Sequence, residues 1–83
     1  MTIYYYTHDA YTYDADYCNV SNHGFITFEA AYEEMSAEVL DCMAERPNQK
    51  MTLTKDKDSI TVNFPEASFE HIWTIHKMDI KAI

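Results

Sequence analysis

The stretch Thr27-Phe28-Glu29-Ala30-Ala31-Tyr32-Glu33-Glu34-Met35-Ser36-Ala37-Glu38-Val39-Leu40-Asp41-Cys42-Met43-Ala44-Glu45-Arg46-Pro47 carries the clearest helical period in the chain. Phe28, Tyr32, Met35, Val39, Cys42 and Met43 recur at steps of three and four, which gathers them into one apolar stripe. Thr27 is suited to cap the first turn by accepting from an orphan backbone N–H, and Glu29 suits the positive end of the helix dipole. Arg46 lies near the negative end, and Pro47, which has no amide proton to donate, stops the run. One amphipathic helix of about five turns is predicted.

On either side of it the period changes to two. Thr2 to Thr7 is β-branched and aromatic throughout, which predicts a strand. His8 to Gly24 is rich in Asp, Asn, Ser and Tyr; Ala10-Tyr11-Thr12-Tyr13 is a candidate second strand, and Ser21-Asn22-His23-Gly24 has turn chemistry. Gly24-Phe25-Ile26-Thr27 is a short strand candidate leading into the helix. Downstream, Met51-Thr52-Leu53-Thr54 and Ser59-Ile60-Thr61-Val62-Asn63-Phe64 alternate around Lys55-Asp56-Lys57-Asp58, the pattern of a hairpin with a charged turn. Pro65 ends the second of these strands. From Phe69 to Ile80, Ser68-Phe69-Glu70-His71 is compatible with a helix start, but the β-branched Ile72, Thr74 and Ile75 favour a strand. The expected architecture is α+β: an antiparallel sheet of four to five strands with one helix packed across a face, forming a single domain over residues 1–83.

Composition bounds the class. At 83 residues there is room for one core, and 47% apolar with 14% aromatic residues is far above the composition of disordered chains. No stretch approaches the roughly 18 apolar residues that cross a bilayer, and Met1 to Asp9 has neither a basic nor an apolar leader region. Cys18 and Cys42 are too few for a disulfide framework. A cytoplasmic protein with reduced thiols is expected.

The net charge of −8 decides more. It argues against direct binding of nucleic acid, which needs clustered Lys and Arg, and against an anionic membrane surface. The charge is also uneven. Residues 1–45 hold nine carboxylates and no Lys or Arg, whereas residues 46–83 hold five acids and six bases. Such asymmetry points to a partner of opposite sign.

Catalytic chemistry finds little support in the spacings. His8, Asp9, Cys18 and His23 fall close together, but Cys18-x4-His23 is not a zinc-ligand pair, and His71 and His76 are five apart, off any shared face. Neither thiol has an electropositive neighbourhood: Cys18 lies near Asp14 and Asp16, and Cys42 beside Asp41, which raise a thiol pKa. The single glycine, Gly24, excludes a glycine-rich phosphate loop. A carboxylate pair for acid–base work needs an enclosing pocket that so short a chain rarely builds. The expectation is a protein without cofactor or bound metal, and not an enzyme.

Two acidic features remain. Glu34, Glu38, Asp41 and Glu45 follow steps of four, three and four, so they stack in one stripe well round the helix from the apolar one and are expected to face solvent. A face kept charged only for solubility normally mixes signs, because interleaved Lys would stabilise the same helix. The second feature is tyrosine: Tyr4, Tyr5, Tyr6, Tyr11, Tyr13 and Tyr17 are six of the seven in the chain. In the segment containing Asp9, Tyr11, Tyr13, Asp14, Asp16 and Tyr17, rings alternate with carboxylates. A partner arginine can stack on such a ring and pair with such an acid.

A compact, acidic, Tyr-rich α+β domain of this kind resembles the small phage-borne inhibitors of bacterial defence, the anti-CRISPR proteins. The resemblance is one of size, charge and architecture over the whole chain and carries over no residue. It implies stoichiometric binding, in the host cytoplasm, to a nuclease effector, at a Lys/Arg-lined channel that otherwise holds nucleic acid. Immunity-type inhibitors of nuclease toxins use the same electrostatics on helical bundles. A third reading is a homo-oligomeric structural or accessory domain whose Tyr-rich strand pairs with its own copy. The expected partner is a basic, nucleic-acid-handling protein, with the chain a monomer or homodimer.

Overall fold

The computed structural model describes residues 1–12 and 16–81. The first strand, β1 (Thr2–Tyr11), is followed by β2 (Asp16–Val20), the helix α1 (Phe28–Ala44), β3 (Thr52–Lys55), β4 (Ser59–Phe64) and β5 (Phe69–Asp79). These strands form one antiparallel sheet in the order β2-β1-β5-β4-β3, and α1 lies across one face, an α+β arrangement. The chain's first and last strands are therefore neighbours at the centre, paired from Thr2↔Asp79 to Tyr11↔Glu70. β4 pairs with β5 only as far as Thr74. The ends of β1 and β5 thus run on as a ribbon, and the molecule is elongated at 50 × 23 × 19 Å.

Alternation sorts the side chains. Tyr6, His8 and Ala10 of β1, His71, Trp73 and Ile75 of β5, and Ile60, Val62 and Phe64 of β4 point toward the helix. All of these but His8 are buried. Ala31, Met35 and Val39 complete the core from the helix, with Phe28, Tyr32, Cys42 and Met43 packed partly buried around them. This is the apolar stripe expected from the sequence. The N-cap is also as expected: Thr27 is extended and its hydroxyl accepts from the Ala30 amide at 3.1 Å. Arg46 lies just past the helix, its guanidinium 4.4 Å from the centre of the Phe69 ring.

The predicted hairpin forms as β3 and β4, and residues 69–79 are a strand. The N-terminal region departs from expectation. Ala10 and Tyr11 do not begin a second strand; they extend β1, and the second strand is Asp16–Val20 instead. The β1 backbone offers a free edge, and pairing with it outweighs the low strand propensity of Asp16 and Asn19. Beyond Val20 the chain stays on that edge. Ser21 N–H donates to Tyr6 O at 2.8 Å, Asn22 and His23 bulge out, and Phe25 exchanges two backbone hydrogen bonds with Tyr4. An added methyl at Gly24 would overlap Ile3 Cγ2, so a larger residue there would force the Ile3 side chain to shift.

Because Thr27 satisfies one of the four free amides at the helix start, Thr27→Ala should lower stability by about 1 kcal/mol. A shift in the urea midpoint without a change in slope checks this.

Candidate functional site

Where α1 crosses β1 and β5, one carboxylate gathers three partners from the sheet. Glu38 Oε2 accepts from the Tyr6 hydroxyl at 2.7 Å, and Oε1 accepts from Trp73 Nε1 at 3.3 Å. His8 Nδ1 stands 3.5 Å from the same Oε1. The register explains the convergence. Tyr6 and His8 are two apart on β1, and His8 lies directly opposite Trp73 on β5. The imidazole of His8 stacks on the Trp73 indole with centroids 4.3 Å apart and planes at 9°.

His71, two residues before Trp73, adds the next ring. Its Nδ1 is 2.9 Å from His8 Nε2. A neutral His8 with its proton on Nδ1, toward Glu38, leaves Nε2 free to accept from His71 Nδ1–H. Burial pushes the pKa of both histidines down; for His8 the charge of Glu38 opposes this, and for His71 the charge of His8 adds to it. Both imidazoles are thereby neutral near pH 7. The Tyr6 hydroxyl is pushed well above the usual phenol range, first by burial and then by its hydrogen bond to Glu38.

His8, His71 and Trp73 form the floor of an open cleft of about 270 Å³. Tyr17 of β2 forms one wall, and Glu38, Asp41 and Cys42 of α1 with its C-cap Glu45 form the other. Tyr17 meets the His8 ring edge-on at 6.3 Å. Burial raises the Cys42 thiol pKa, with Glu45 adding to it, so the sulfur is a neutral part of the lining.

The sequence-predicted site residues divide between the two faces of the sheet. Glu34, Asp41 and Glu45 are exposed along the flank of α1 nearest β1 and β2. Glu38, expected to face solvent with them, is instead turned in at its carboxylate end to the buried Tyr6 and Trp73, with its side chain still 43% exposed. Its place above two sheet donors is the reason. Tyr17 shares the helix face with this stripe, whereas Asp9, Tyr11 and Asp16 point to the helix-free face, because odd positions of β1 and their β2 partners alternate with Tyr17. Tyr13 and Asp14 lie outside the described residues. Cys18 is on the helix-free face with Asp9, whose hydrogen bond to the thiol is the main cause of its raised pKa.

The candidate ligand set His8, Asp9, Cys18 and His23 is not brought together. His8 faces the helix, Asp9 and Cys18 face away, and His23 packs against Phe25 at 4.6 Å. Among the described residues no group of three or more His, Cys, Asp or Glu could hold a metal ion. No helix of the described residues is long and apolar enough to cross a membrane. Sequence reasoning missed His8, His71, Trp73 and Tyr6 as a unit. The available signal was that Tyr6/His8 and His71/Trp73 each lie two apart, on one face.

No protein-family model, curated protein or solved structure matches the chain. Geometry and charge therefore carry the functional argument.

Glu38→Ala leaves the buried Tyr6 hydroxyl and Trp73 N–H without their acceptor and should cost about 1–2 kcal/mol, while Glu34→Ala on the exposed flank should stay within about 0.5 kcal/mol. A double-mutant cycle of Glu38→Ala with Tyr6→Phe checks the assignment, and additivity would refute it.

The histidines set a pH dependence. Their folded pKa values lie below the unfolded value of about 6.5, so the unfolded chain takes up protons first as pH falls. The stability they confer is complete above that pH and is lost as pH drops through about 6.5 toward the folded values. In urea unfolding at pH 7.5 and 5.5, His71→Phe should lose less stability over this interval than the unaltered chain.

Proposed function

We propose that this chain is an acidic binding protein that docks the β1–β2 flank of its helix onto a basic surface of a nucleic-acid-handling protein. The observation that carries this reading is the arrangement of Glu34, Asp41 and Glu45. All three are exposed on one side of one helix, and none is paired with a Lys or Arg among the described residues. Steps of three or four residues set neighbouring carboxylates of the stripe roughly 4.5–6 Å apart along the helix axis. Like charges so placed destabilise a helix by a few tenths of a kcal/mol each, a cost that an oppositely charged partner reverses.

Arg46 directly follows Glu45 but holds its guanidinium over the Phe64 and Phe69 rings, and the lysines lie elsewhere. Lys50, Lys55 and Lys57 sit at or next to β3, at the far edge of the sheet from β2, and Lys77 and Lys81 belong to the end of β5 and the tail after it. The exposed carboxylates of the helix flank, rather than Asp9 and Asp16 on the helix-free face, support a basic partner on this side. A Lys/Arg-lined channel of a nuclease effector is the class of surface that fits it, and occupying that channel would exclude nucleic acid. The mode is binding without chemistry, as in small anti-CRISPR-like inhibitors.

A second reading is favoured by a separate feature. Beside the unpaired edge of β3, Leu40 and Leu53 are 64% and 43% exposed around a small apolar groove. This patch suits self-association.

The test compares the unaltered chain with a Glu34→Lys/Asp41→Lys/Glu45→Lys variant, leaving Glu38 in place because it is structural. Immobilised on beads in a nuclease-treated host extract, the unaltered chain should retain basic proteins. The charge-reversed variant should lose on the order of tenfold or more of that capture. Retention should fall as added salt shortens the Debye length from about 30 Å at 0.01 M to about 8 Å at 0.15 M, and added DNA or RNA should compete. Capture indifferent to charge reversal would sink the proposal, and concentration-dependent mass in sedimentation without a host partner would favour self-association.

A further inference from the structure

Extending the acidic-face reading on which it rests, we infer that the cleft beside the stripe is a socket for a single arginine side chain of the partner, walled by Tyr17 and by the carboxylates of Glu38, Asp41 and Glu45. Three features select this occupant. At about 270 Å³ the cleft is below the roughly 300–1,000 Å³ of cofactor and drug-sized pockets, which suits one side chain. Its charge is negative, because Glu38, Asp41 and Glu45 line it and no Lys or Arg does. The chain's single guanidinium, that of Arg46, is engaged with the rings of Phe64 and Phe69.

The walls then choose arginine over lysine. Tyr17 is 48% exposed and offers a ring face that is not covered by the core. Trp73, by contrast, is fully buried, so it cannot be the stacking platform. A guanidinium is planar and stacks on an aromatic face while its N–H fork meets carboxylates, whereas an ammonium is a strongly hydrated point charge with no such plane. Glu38 is held in place by Tyr6 and Trp73, so one carboxylate of the socket is oriented before a ligand arrives. Rigid placement of this kind lowers the ordering cost of binding.

The chain carries its own reporter, since Trp73 lines the cleft and is the single tryptophan. The experiment titrates the full chain at low salt with a hexa-arginine peptide and a hexa-lysine peptide of equal charge, following Trp73 fluorescence and amide NMR shifts. Hexa-arginine should bind on the order of tenfold more tightly, with shifts at Tyr17, Asp41 and Glu45. Tyr17→Ala, on an exposed edge strand, should remove most of that preference and leave hexa-lysine binding nearly unchanged. Glu34→Lys, outside the cleft, should weaken both peptides alike. Equal affinity for the two peptides, or a preference that survives Tyr17→Ala, overturns the socket. If binding in that case still falls with Glu34→Lys, the acidic-face reading stands without it. Absence of binding by either peptide overturns both.

Discussion

Pairing of β1 with β5 fixes almost everything else about the molecule. The two strands are antiparallel over ten residue pairs, and that register decides which side chains meet beneath the helix. With His8 opposite Trp73 and Tyr6 opposite Ile75, the core and the polar cluster share one face. A slip of one residue in β1 would send Tyr6 and His8 to the open side and bring Tyr5, Thr7 and Asp9 under the helix. The Tyr6 hydroxyl would then lose Glu38 as its acceptor, and Asp9 would bring a carboxylate against the acidic flank of the helix. Hydrophobic and polar demands thus agree on one register, which makes it well specified.

The acidic stripe is less uniform in three dimensions than its spacing implies. Four carboxylates follow one helical row, but a single member is held by the sheet and the others remain in water. Glu38 links the helix to both central strands through Tyr6 and Trp73, so it anchors the angle at which the row is presented. Glu34, Asp41 and Glu45 then project from a positioned scaffold. Structural and binding roles are divided among residues of the same chemical type, and exposure separates them.

Much of the architecture was legible because local signals were strong and consistent. The cap at Thr27, the three- and four-residue apolar steps through Val39, and the alternation in Ser59–Phe64 each point to a single conformation. The β-branched residues of Phe69–Asp79 resolved an ambiguous tail in favour of a strand. β2 was not legible, since its five exposed residues bury no face and its order comes from the β1 edge. The His8–His71–Trp73–Glu38 cluster was hidden for another reason. Period two tells which residues share a face of one strand, but not which residue of a distant strand stands opposite. Among four equally spaced acids, nothing local marks Glu38 as the one above Tyr6.

The central position of the two terminal strands also has a consequence for how the chain reaches this state. Pairing of β1 with β5 closes a loop of residues 12–69, an entropic barrier met before the contacts of that pairing reward it. On a ribosome, β5 emerges after every other element of the sheet. Until then β1 has its inner edge bare and Tyr6 without its cover, while α1 and the β3–β4 hairpin can already form from local contacts. The least local pairing of the sheet therefore waits for the element that comes last in chain order. Until β5 is made, β1 and the β3–β4 hairpin lack the strand that joins them.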